Sequence, residues 1–393
     1  MSCNYLYRSF SQSLPHFISS SYYTPIAPSI ASLKSLFYPS RRRQLHTFAI
    51  SAGNRFTWDD VFLVPESPHN DPSALSAFFD KIKLCNRDLE KQCEFMPFVI
   101  EDQIIGYIHH GFADFLKPFD NVFIFPQDNT FGSHLGCHCT LHPNLSTPND
   151  RTKAVANVIM SLGELIPGIR NELYPVSSAF GEPIFFSLER AAAPYFGIKI
   201  FMVVSDGGFW QLSFLFCLEH RDKAYGVQMN GYLEKDEQKF LWIGKRSEQK
   251  STYPGMLDQL AAGGLPHDIS CGENLIKECE EEAGIPRSIS LKAIPVGAVS
   301  YTDIEGYRMK RDVLFCYDLK LPDGFIPHNE DGEVESFQLV PVTQVANIIR
   351  KTSFFKANCN LVIIDFLIRH GHIRPEEFGY LRLLQSLRSG YFS

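Results

Sequence analysis

No aspartate or glutamate precedes Asp59, although the chain of 393 residues carries 44 acids. The same stretch holds Arg8, Lys34, Arg41, Arg42, Arg43 and Arg55 and is rich in serine. A segment of that composition buries too little apolar surface to fold alone and matches an organellar transit peptide over residues 1–50. A secretory signal fits less well, because no unbroken apolar core follows a basic start. The serine content and the sparse early arginines lean toward the plastid stroma, with the mitochondrion as the alternative. Removing residues 1–50 would leave 32 basic against 44 acidic residues, a formal charge of −12.

Other absences narrow the field further. The most apolar stretch, Ile200 to Cys217, is broken by Asp206, Gly207 and Gly208. It falls short of the ~20 apolar residues that a spanning helix needs, so no membrane partner is expected. No long basic block follows residue 43, which argues against a nucleic-acid surface. The ten cysteines form no dense framework, as suits a reducing compartment. His134, Cys137, His138, Cys139 and His142 cluster, but Cys137 and Cys139 lack zinc-finger spacing, and an ordinary loop is the plainer reading. No GxxxxGK[ST] loop is present, which excludes one type of kinase.

At roughly 150 residues per domain, the length suggests two domains plus extras. In the first region, residues 59–220, Ala74–Leu84 has helical spacing. Phe98–Ile108 reads as two strands around Glu101 and Asp102. Arg151–Ile166 reads as a helix capped by Asn149 or Asp150. In the second region, residues 221–370, Tyr225–Leu233 and Phe240–Lys245 read as paired strands joined by the turn Glu234–Gln238. Further strands are expected at Lys292–Tyr301, Asp312–Leu319 and Phe337–Val342, and helices at Thr343–Arg350 and Asn360–Arg369. Residues 371–393 are left as a C-terminal tail. Strands mixed with a few helices, without a βαβ rhythm, indicate an α+β fold.

The informative segment runs from Gly263 to Ile285. Ser270 and Glu273 have the spacing of a capping box, so a helix starts near Cys271. Gly284 suits a left-handed C-cap, and Pro286 prevents continuation. Within this helix Glu278, Glu281 and Glu282 lie at i, i+3 and i+4 and share a face, leaving Leu275, Ile276 and Cys279 for the core. A solvated acidic face is the plain reading of the run alone. Yet like charges one turn apart repel, and near a helix C-terminus the dipole disfavours them. A hard divalent cation reverses both penalties.

The helix together with its glycine loop resembles the Nudix box, G-x5-E-x7-R-E-U-x-E-E-x-G-U. Lys277 to Ile285 fit its second half, with lysine for arginine and Cys279 at the apolar position; Ile269 stands where the box has its first glutamate. Glu189–Ile198, Met229–Tyr232, Leu241–Ile243, Thr252–Leu257 and Asp331–Glu335 resemble the plant and fungal Nudix subfamily related to thiamine pyrophosphokinase. The resemblance spans about residues 60–375. Residues 200–223 interrupt it, as an added loop or a retained intron.

The resemblance implies a C-terminal Nudix α/β/α sandwich preceded by a smaller mixed α/β domain. It implies a diphosphatase using Mg²⁺ or Mn²⁺ on a small-molecule diphosphate, giving a monophosphate. Nucleoside diphosphate derivatives and intact or damaged thiamine diphosphate are the candidate substrates. Glu278 and Glu282 are the metal candidates, Glu278, Glu281 and Glu282 the catalytic set, and Glu330, Asp331, Glu333 and Glu335 the candidate bases, with Glu330 placed first. A polar turn at Asn329–Gly332 is the alternative for that loop. Arg190, Lys245 and Arg246 are phosphate candidates or plain surface charges. The rival function is a binding or regulatory module whose box has lost activity.

Overall fold

The computed structural model describes residues 56–67, 75–126, 137–169, 171, 173–178, 183–198, 225–250, 252–265 and 269–391. The leader and the stretch 200–223 lie outside these residues. Two short helices come first, α1 (Trp58–Phe62) and α2 (Ser76–Cys85). Strands β1 (Phe95–Ile100) and β2 (Gln103–His109) form the expected hairpin. Glu101 and Asp102 both take left-handed backbone, with φ of 50° and 61°, as a two-residue turn between twisted strands requires. After α3 (His110–Leu116), β3 (Phe123–Ile124) and β4 (Cys139–Leu141) complete a four-stranded sheet in the order β2-β1-β4-β3.

Helix α4 (Pro148–Leu162) follows. Its N-cap is Thr147, not Asn149 or Asp150. The Thr147 hydroxyl accepts the Asp150 N–H at 3.2 Å, and Pro148 occupies the first turn, where no N–H is missed. A hairpin of β5 (Leu173–Val176) and β6 (Phe186–Glu189) leads into a 3₁₀ turn over Arg190–Phe196. Phe98, Phe112, Phe123, Phe186 and Phe196 interlock at the centre, with ring centroids 5.6 Å apart for Phe98–Phe196 and 5.8 Å for Phe123–Phe196.

The second region is built on a sheet in the order β11-β12-β7-β8-β13. In chain order the elements are β7 (Tyr225–Lys235), β8 (Gln238–Arg246), β9 (Leu257–Asp258), β10 (Ala261–Gly264), α5 (Cys271–Ala283), α6 (Arg287–Ser290), β11 (Ile294–Glu305), β12 (Arg308–Lys320), β13 (Val334–Pro341), α7 (Val342–Lys351), α8 (Ala357–Arg369) and α9 (Tyr380–Ser386). Strands β7 and β8 pair only near their turn, from Tyr232–Leu241 to Lys235–Gln238, and beyond it the short pieces β9 and β10 fill the gap, β9 on β8 and β10 on β7. Helix α5 packs on one face of the sheet; α7 and α8 pack on the other.

From Thr47 onward the chain forms one compact unit. Helices α1 and α2, which sequence reasoning places with the first region, pack instead on the second: Val61, Phe78 and Ile82 share a core with Val345, Leu361 and Phe366. The segment read as a tail also folds back. Leu383 and Leu387 are buried, and the Ser300 N–H of β11 donates to the Leu387 carbonyl at 2.9 Å. Among the described residues no helix is long and apolar enough to cross a membrane.

Candidate active site

Helix α5 runs over Cys271–Ala283, as its signals predict. Ser270 Oγ accepts the Glu273 N–H at 3.2 Å, and Gly284 closes the helix at φ 58°. The capping box is only half made, because the Glu273 carboxylate turns to Arg287 at 2.8 and 2.9 Å. The buried side chains Leu275, Ile276 and Cys279 anchor the helix, with Cys279 Sγ 3.5 Å from Met229 Sδ.

A second buried stripe carries polar groups. Asn274, Glu278 and Glu282 recur every four residues and lie along β10. Asn274 Nδ2 donates to the Gly264 carbonyl at 2.9 Å. The Glu278 carboxyl sits against Gly263, where an added β-carbon would fall 1.9 Å from Glu278 Cδ. Glu282 Oε2 accepts the Ala262 N–H at 2.7 Å. One helix face thus engages three successive strand residues, and two carboxyl groups are held side by side. Burial, and then the neighbouring Glu278 charge, push the Glu282 carboxyl well above the ordinary range; the bond from Ala262 only partly offsets them.

Glu281 does not join this pair. It is half exposed and bridges Lys277 at 2.9 Å, and the same ammonium lies 4.0 Å from Glu278 Oε1. The loop before β13 divides its acids. Glu330 pairs with His328 at 2.7 Å. Asp331 and Asn329 build the polar turn, accepting the N–H groups of Glu333 at 2.8 Å and Gly332 at 3.0 Å. Glu335 bridges Lys245 at 3.1 Å, and Glu333 bridges Lys250 at 2.5 Å. Of these four it is Glu333 whose charge bears on Glu282. The loop is pinned to α5 by His328, whose N–H donates to the Ala283 carbonyl at 3.2 Å and whose ring rests on Gly284.

Sequence reasoning missed the floor of the site. Asp258 on β9 is buried against Arg246 at 2.7 Å and Lys356 at 3.5 Å, and it accepts from Cys359 Sγ at 2.8 Å. Burial pushes its carboxyl up, but Lys356 and Arg246 more than offset this and hold it at about 2. Arg246 is thereby committed to Asp258 and to the Tyr253 and Thr252 carbonyls, and not left open for phosphate. Asn274 was missed as well, although its four-residue spacing to Glu278 and Glu282 is a signal that could have found it. Of the histidine–cysteine cluster, His134 lies outside the described residues; Cys139 sits in β4, its thiol pushed up by burial.

A divalent cation suits this donor set. Two buried carboxyl groups set side by side supply hard oxygens, one of them, Glu282, pushed up by burial and by the neighbouring Glu278 charge. Among the described residues no three His, Cys, Asp or Glu converge into a complete cage. Any such ion would therefore draw further ligands from water and substrate, as Mg²⁺ commonly does.

A helix holding paired acids over a glycine strand, on an α/β/α sandwich, defines this chain's class, and the comparisons agree: the chain belongs to the Nudix hydrolases. Residues 225–357 match the NUDIX domain, and residues 77–200 match a domain of unknown function, DUF4743. The chain is 58% identical over 352 residues to Nudix hydrolase 20, chloroplastic, of Arabidopsis thaliana, covering 88% of this chain and 87% of that protein. It is 54% identical over 352 residues to Nudix hydrolase 24, chloroplastic, of the same plant, covering 88% of each. An uncharacterised protein of Saccharomyces cerevisiae is 41% identical over 178 residues, covering 41% of this chain and 51% of that protein.

Proposed function

We propose that the chain hydrolyses the diphosphate bond of a small organic diphosphate to give a monophosphate, with Mg²⁺ or Mn²⁺ held by Glu278 and Glu282. The observation that carries this is the pair itself: two buried carboxyl groups set on Gly263 and Ala262, one of them resisting ionisation. When bound, the divalent ion supplies charge neutralisation at the phosphate oxygens and acidifies an attacking water. The Ala262 N–H orients Glu282, and Gly263 leaves the space that Glu278 occupies. Glu281, steadied by Lys277, and Glu333, held by Lys250, are the acids poised to accept a proton. Glu330, tied to His328, is the remaining candidate.

The proposed substrate classes are nucleoside diphosphate derivatives and intact or damaged thiamine diphosphate, and the proposed site of action is the plastid stroma; the names of the two plant relatives speak for the chloroplast alone. Phosphate release from a panel of these compounds, with and without Mg²⁺, tests the reading. Glu282→Gln is expected to lower turnover by about a hundred-fold or more. Equal release by wild type and variant would defeat it. One observation favours the rival reading of an inactive binding module: Ile269, at the position of the first box glutamate, is packed against the core. Tight binding of a diphosphate without turnover would select that rival.

A further inference from the structure

We propose that Phe56 and Trp58, at the head of a strap formed by residues 56–67, are positioning residues of the active site: they hold the strand start that follows the later acid loop and, through Phe354, the edge of the site floor. This rests on the hydrolase reading of Glu278 and Glu282.

The strap contains one five-residue helix, α1, too short to persist by its own hydrogen bonds. It is held from outside. Gln344 Nε2 donates to the Val61 and Val64 carbonyls at 3.1 and 3.0 Å, Lys351 Nζ donates to the Glu66 carbonyl at 2.8 Å, and the Ser67 N–H donates to Asn347 Oδ1 at 3.1 Å. Gln344, Asn347 and Lys351 all belong to α7, the helix that β13 leads into. Val61 and Val64 are buried in the core of α7 and α8, which accounts for the helix. It does not account for the two aromatic residues near its start. Phe56 and Trp58 are only partly buried, and each reaches a residue beside the site.

The Trp58 Nε1–H donates to Ser336 Oγ at 2.9 Å. Phe56 stacks on Phe354 with ring centroids 4.2 Å apart, and the Lys245 ammonium lies 5.8 Å from its ring centre. The same ammonium bridges Glu335 at 3.1 Å. Glu335 is the extra residue of a bulge: Val334 pairs with Arg246 and Ser336 with Lys245, so Glu335 has no place in the ladder. A bulge is where a strand can bend. The strap holds this one twice, at Ser336 through Trp58 and at Glu335 through Lys245. Two residues before it stands Glu333, whose carbonyl accepts the Ser247 N–H at 2.9 Å. On the other side, the Phe354 carbonyl accepts the Leu257 N–H at 2.8 Å, and the Leu257 carbonyl accepts the Lys356 N–H at 3.0 Å. Leu257 precedes Asp258, and Lys356 is one of the cations on that acid. One short segment therefore braces the backbone beside Glu333 and the backbone beside Asp258. The capping box, with the Thr57 N–H donating to the Asp60 carboxylate at 2.8 Å, stiffens the chain between the two aromatic residues.

The test sets Trp58→Phe, Ser336→Ala and the double variant against wild type in the full chain. Ile159→Val, which thins the other core, is the control for lost stability. The substrate is the diphosphate of the panel that wild type turns over fastest, at saturating Mg²⁺. In Trp58→Phe kcat is expected to fall about ten-fold with KM within about two-fold of wild type, because a displaced acid slows the reaction more than it weakens ground-state binding. Ser336→Ala should do the same. The double variant should fall no further, since both changes remove one hydrogen bond. Ile159→Val should lower Tm and leave kcat alone. Unchanged kcat in Trp58→Phe, losses that multiply in the double variant, or an equal kcat loss in Ile159→Val overturns the proposal. Hydrogen exchange gives a readout that needs no turnover. Amides of residues 333–336 should exchange faster in Trp58→Phe, and those of residues 256–258 faster in Phe56→Leu, than in wild type or Ile159→Val; rates equal to those of Ile159→Val overturn the proposal. Mg²⁺-dependent phosphate release by wild type judges the hydrolase reading separately, and if wild type releases none, the exchange comparison alone decides for or against the strap.

Discussion

Asp258 shows how one side chain governs the charge beneath the site. It lies in the interior with Arg246, Lys356 and Cys359, and the two cations depend on its negative charge. Its carboxyl sits at about 2 in the folded chain against an ordinary value of 3.8. A depressed carboxyl binds fewer protons folded than unfolded, so its contribution to stability is complete above the ordinary value. That contribution is lost as the pH falls from about 4 to about 2, and amounts to about 2 kcal/mol. Asp258→Asn should flatten the stability profile in that window. At neutral pH it should cost about 3–5 kcal/mol, because Arg246 and Lys356 are left buried without a counter-charge. Urea unfolding of both proteins between pH 2 and pH 7 checks this, and an unchanged acid slope in the variant would sink it.

At the scale of elements, the decisive contact is α5 against β10. Asn274, Glu278 and Glu282 reach Gly264, Gly263 and Ala262 in turn, so the acids are aligned by a strand with almost no side chains of its own. Gly263→Ala places a methyl group in the space of the Glu278 carboxyl. The expected cost is about 1–3 kcal/mol of stability, since the helix must shift or the glutamate must leave. Activity and the thermal shift on adding Mg²⁺ should fall together. A Gly263→Ala protein that keeps its full Mg²⁺ shift would break the link between this glycine and the acids. Helix α5 was legible in the sequence because Ser270, the apolar spacing and Gly284 agree on one answer. Strands β9 and β10 were not, being two and four residues long and rich in small side chains. Nor could spacing separate Glu281 from the other acids. Residues at i+3 and i+4 share a broad face, and only packing against β10 sends Glu282 inward and leaves Glu281 with Lys277. Which acid of the later loop bears on Glu282 is likewise set by tertiary structure, with His328 lying on Gly284 and Lys250 bridging Glu333.

At the scale of the whole molecule, the two family regions do not have separate interiors. Phe98, Phe112 and Phe196 of the first belong to the same buried cluster as Val227, Met229, Leu275 and Cys279 of the second. On the opposite face of the sheet, α2 contributes Phe78 and Ile82 to the core of α7 and α8, and α9 adds Leu383. Sequence patterning marks which residues are buried, but not which partner buries them, and so it draws a boundary that the packing does not respect. Burial of a side chain such as Phe or Leu is worth about 1.5–3 kcal/mol, and each shared core joins many of them. Neither region can open without exposing the interior of the other. Calorimetry of the chain from residue 56 onward should therefore show one transition, with calorimetric and van't Hoff enthalpies in agreement. A fragment limited to residues 225–391 keeps α5, α7 and α8 but loses α1, α2 and the first region, so it should uncover part of each core and fail to reach a cooperative fold. Two resolved transitions, or a fragment that melts sharply by itself, would show instead that the acidic helix is supported by its own domain alone.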